Sequence, residues 1–66
     1  MRYFDFETVA KKAEIPIGKL EKLCALVREE FPKDQMMYEL HVLRACLVVS
    51  EGHINIDQAI EIQAAA

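Results

Sequence analysis

Sixty-six residues, 53% of them apolar, with a formal net charge of −3, are enough for one small folded domain and exclude a disordered chain. The charge is uneven: residues 1–33 carry seven basic against six acidic side chains (+1), and residues 34–66 carry Arg44 alone against five acidic ones (−4). Every lysine lies in the first half, so an anionic partner would have to meet that half. No signal peptide and no long uncharged apolar run is present, which predicts a cytoplasmic soluble protein. Cys24 and Cys46 lie inside apolar stripes without CxxC spacing and read as two buried, reduced thiols.

In chain order, Met1 to Phe4 is a short apolar lead-in, and Asp5 is placed to cap a first helix over 6–13. Pro16 disfavours helical geometry at Ile15 and stops that helix. A second helix is predicted over 17–30, with the stripe Ile17, Leu20, Leu23, Cys24, Val27 and Phe31, and Pro32 ends it. Asp34 caps a third helix over 34–50, which is apolar on more than one face. Met36, Leu40, Leu43 and Leu47 form one stripe, of which Leu40, Leu43 and Leu47 are expected to join Leu20, Leu23, Val27 and Ile60 in the core. Val42, Cys46 and Val49, with Met37 widening the surface, form a second stripe, expected to face a partner or a second copy. Gly52 is the expected left-handed stop. Asn55 with Gln58 three residues on fits a capping box opening a fourth helix over 55–64. Ala64 to Ala66 reads as a frayed end or as the place where a longer chain was cut. The expectation is an all-α, compact four-helix domain.

Residues able to carry chemistry are few. The chain has one serine, Ser50, and no glycine-rich phosphate loop. His41 and Cys46 are five apart, about 140° around a helix, and do not share a face. Two cysteines and two histidines could supply four zinc ligands, but their spacing matches no zinc motif. The reading is a non-enzymatic protein without metal or cofactor.

Residues 6–28 carry a more specific pattern. Val9 and Ala10 in the first helix, Ala13 at its end, Ile15 after the turn, and Leu20 and Leu23 in the second helix are spaced as in a helix-turn-helix unit, which this stretch resembles. Glu14 departs from the pattern, standing where that family most often has glycine. The resemblance implies a DNA-binding regulator acting on double-stranded DNA. It puts Ile17, Gly18, Lys19, Glu21 and Lys22 toward the major groove and Lys11, Lys12 and Arg28 near phosphates. The physics of those residues argues the other way. No Arg, Asn or Gln near the start of the second helix can read a base edge in two hydrogen bonds, and Glu21 repels phosphate. The reading is nonetheless a small DNA-binding regulator that dimerises through the third helix; the alternative is a non-enzymatic protein-interaction module or adaptor. Phe31-Pro32 before a helix, then Gly52 and a short helix ending in Ala59-Ile60, loosely resembles ubiquitin-binding three-helix domains, which also implies a protein partner.

Overall fold

A computed structural model of the chain describes residues 3–65. Met1 and Arg2 of the lead-in, and Ala66, lie outside the described residues. Four helices follow in order: α1 (Phe6–Lys12), α2 (Ile17–Glu30), α3 (Gln35–Ser50) and α4 (Ile56–Ala65), with no strand among the described residues.

The ends of the helices are set by local chemistry. Asp5 accepts from the Thr8 amide at 3.2 Å and Asp34 from the Met37 amide at 3.1 Å, so each satisfies an orphan donor of a first turn. The capping box of α4 is reciprocal. The Gln58 amide donates to Asn55 Oδ1 at 2.8 Å and the Asn55 amide donates to Gln58 Oε1 at 3.0 Å. α2 has no side-chain cap: Pro16, preset near the φ of a helix start, precedes it, and the Lys19 and Leu20 amides reach the Pro16 carbonyl. At its other end Pro32 pushes Phe31 out of helical geometry, to φ −125° and ψ 71°.

α1 and α3 end by the same device. The Glu14 amide bonds the Lys11 carbonyl and the Ile15 amide bonds the Ala10 carbonyl. The Gly52 amide bonds the Val49 carbonyl and the His53 amide bonds the Val48 carbonyl. Both are Schellman motifs, which need a left-handed residue just past the helix. Gly52 adopts φ 82° there, and Glu14 adopts φ 59°. Glycine bears such an angle without cost, whereas a glutamate strains against its own Cβ.

The core joins Ala10 of α1, Leu23 and Val27 of α2, Val42 and Cys46 of α3, and Ile56, Ala59 and Ile60 of α4. α1 packs mainly on α3, and α2 mainly on α4 with a smaller contact to α3. The two expected stripes of α3 therefore exchange roles. Val42 and Cys46, expected at a partner interface, are fully buried within the protomer, and Val49 packs against the same core. Met37, the fourth of that set, is half-buried. Of the three leucines expected in the core, Leu40 and Leu43 are half-buried and Leu47 remains 40% exposed, with Met36 beside them at 48%. The physical reason is that α3 is apolar nearly all round, so its pattern alone does not select a face. Val42, Ala45 and Cys46 are smaller than the leucines opposite and let three other helices approach closely at native packing density.

Two measurements check this architecture. Glu14→Gly relieves the left-handed strain and should stabilise the domain by about 0.5–1 kcal/mol, while Gly52→Ala should cost about 1 kcal/mol, both read from thermal melts. Leu23→Ala should cost about 2–5 kcal/mol and Leu47→Ala no more than about 1 kcal/mol in urea unfolding, whereas the two losses would be comparable if Leu47 were interior.

Candidate functional site

Glu39 interrupts the apolar run of α3 in the sequence, yet it is only 2% exposed. It sits one turn before Val42 on the inward face, and that shared face is the one sequence signal that could have found it. A carboxylate can be buried there because donors surround it. The Tyr3 and Phe4 amides donate to its Oε1 at 2.7 and 2.9 Å, and the Gln35 side-chain amide donates to its Oε2. Gln35 Oε1 in turn accepts from the Arg28 guanidinium at 2.7 Å. The Arg28 guanidinium carbon lies over the Tyr38 ring, 3.7 Å from its centroid, and Arg28 also donates to the Phe31 carbonyl. The chain of contacts thus ties the N-terminal segment to α3 and α3 to α2.

This network takes Arg28 out of the set of free cations. Lys19 is also committed: its ammonium lies 2.9 and 3.0 Å from the two carboxylate oxygens of Asp57 on α4. The other residues singled out for DNA contact are exposed, namely Lys11 and Lys12 on α1 and Ile17, Gly18, Glu21 and Lys22 on α2. Along α1, the turn and α2 these three lysines are interspersed with Glu7, Glu14 and Glu21, all three exposed as well. Ile17, at 77% exposed, is the most exposed of the large hydrophobic side chains.

Beside Ile17 runs an apolar groove. α1 and α2 are joined by a short turn yet make their main contacts elsewhere, and between them they leave a hollow of about 520 Å³. Phe6, Leu20, Cys24, Ala25 and Tyr38 line it beside Ile17, together with the charged side chains of Glu7, Glu21 and Arg28. A second hollow of about 290 Å³ shares Ile17 and Leu20 with it and reaches Ala10 and Ile15. No sequence signal marked this groove, because the residues that line it read as one half of an ordinary buried stripe.

Neither thiol is poised for chemistry. Burial pushes the Cys46 thiol up to about 11 and also raises Cys24. The Tyr38 hydroxyl is pushed up to about 12 by burial and by its hydrogen bond with Cys24. Both cysteines are free. His41 Nδ1 is bonded to the Met37 carbonyl at 3.0 Å and its ring lies against Phe31. His53 is exposed, 3.7 Å from Glu51. Among the described residues no group of three His, Cys, Asp or Glu side chains could hold a metal ion, and no helix is long and apolar enough to cross a membrane. Comparison with protein-family models, with curated proteins and with solved structures gives no match.

A disulfide-exchange reagent should separate the two thiols. At pH 8 in the folded protein, Cys24 in the groove wall should react much more slowly than a free thiol and Cys46 only on unfolding; both should react at once in urea. Rapid labelling of both in the folded state would contradict the burial described above.

Proposed function

We propose that this chain is a non-enzymatic protein-interaction module of the cytoplasm, whose α1–α2 groove receives an apolar helical segment of a partner. The observation that carries the reading is Ile17, 77% exposed at the edge of a groove already lined by apolar side chains. Ile17 extends the apolar lining of the groove to its rim, so a partner's apolar side chain seated there would cover both together. Glu21 in the groove lining and the chain's acidic balance favour a segment whose apolar anchors are flanked by lysine or arginine.

DNA binding by α1 and α2 is the second reading, and one specific observation favours it. Glu14 holds φ 59° at the very position where the helix-turn-helix pattern places glycine, and Lys11, Lys12 and Lys22 are exposed on α1 and α2. Against it stand the engagement of Lys19 and Arg28 and the exposed Glu7, Glu14 and Glu21 interspersed with those lysines.

An NMR titration distinguishes the two. Amphipathic helical peptides with paired leucines flanked by lysines should shift the amides of Ile17, Leu20, Cys24 and Ala25. Ile17→Glu should remove that response, and Lys11→Ala with Lys12→Ala should leave it. If a DNA duplex at low salt instead shifts Lys11, Lys12 and Lys22, with a response that falls steeply as salt rises, the DNA reading replaces this one.

A further inference from the structure

The outward face of α3 presents Met36, Leu40, Leu43 and Leu47, two of them exposed and two half-buried. Their spacing of four, three and four residues is that of a coiled-coil seam. The same spacing reads identically from either end. Laid antiparallel on a second copy about a two-fold axis near residues 41 and 42, Met36 meets Leu47 of the second copy and Leu40 meets its Leu43. All four layers are then filled by apolar side chains, and the patch is complementary to itself, as an isologous two-fold interface requires.

From this we infer that the occupant of the outward α3 face is a second copy of this chain, packed antiparallel through Met36, Leu40, Leu43 and Leu47. Charge supports that register as well as apolarity does. Lys33, exposed just before α3, and Glu51, exposed at its C-cap, fall opposite each other at both ends of the antiparallel pair. In a parallel pair like would face like: Lys33 with Lys33, Glu51 with Glu51. Antiparallel helices also set the positive N-terminal pole of each beside the negative C-terminal pole of the other. Met37 and Arg44 lie along one flank of the seam, where the methionine and the aliphatic stem of the arginine can cover its edge. Val42 and Cys46 take no part, since both are interior to the protomer. The pairing does not depend on what fills the α1–α2 groove.

The test is sedimentation equilibrium of the full chain across a wide concentration range, with thermal melts as a control for folding. The wild type should show a reversible monomer–dimer equilibrium. Met36→Glu with Leu47→Glu, both at exposed positions, should weaken association by at least about tenfold while the variant still melts cooperatively. Register is tested by mixing a Met36→Cys chain with a Leu47→Cys chain under mild oxidation. An antiparallel pair gives the mixed disulfide, and a parallel pair gives each variant bonded only to itself. A wild type that stays monomeric at the highest concentration, a dimer that survives the double substitution, or crosslinks only between like variants would each overturn the inference.

Discussion

The rotation of α3 about its own axis is the constraint on which the rest depends, and the buried carboxylate of Glu39 fixes it. Two backbone amides of the N-terminal segment and the side chain of Gln35 converge on that carboxylate. A buried carboxyl group so placed is tolerable only while its donors are present, because a buried acceptor stripped of them costs about 1–3 kcal/mol. Turning α3 to bring Leu43 and Leu47 inward would carry Glu39 away from those amides and would put larger side chains where Val42 and Cys46 now fit. Packing and polar satisfaction therefore select the same face.

From that choice the surface follows. With Val42 and Cys46 inward, the leucine and methionine stripe is left on the outside of the protomer. The network that begins at Glu39 continues through Gln35 to Arg28, which lies over Tyr38 at the edge of the α1–α2 groove. Structural support for the core and the shape of the groove thus share residues. A side chain that would otherwise be a free cation on α2 is instead a strut, and Lys19 is held in a similar way by Asp57 across to α4.

These engagements weigh on function more than net charge does. A helix meant to lie along a phosphate backbone keeps its cations free to exchange counterions, whereas here two of the basic groups on α2 are spoken for within the fold. What α2 offers to solvent is Ile17, Gly18, Glu21, Lys22 and Ala25, with Glu29 and Glu30 at its end, a face of mixed charge with a prominent aliphatic group. Left-handed geometry at Glu14 has two consequences of different kinds. It closes α1 with a Schellman turn, and it places a strained residue where glycine would serve better for stability alone.

The sequence by itself determined where each helix begins and ends. Asp5, Asp34 and the Asn55–Gln58 pair cap as their chemistry requires, Pro32 halts α2, and Gly52 closes α3. Each of these outcomes depends on hydrogen bonds and steric clashes within four or five residues along the chain, which a linear reading contains. The stop after α1 was legible too, though its mechanism was not: a left-handed glutamate does the work attributed to the proline two residues later. Only the tertiary structure decided which face of α3 is interior, that Glu39 is buried, that Lys19 and Arg28 are engaged, and that a groove separates α1 from α2. A helix apolar on nearly every side carries no internal preference for one orientation. Its inward face was settled by the shapes and donors that three other helices and the N-terminal segment bring to it, and those meet only in the folded chain.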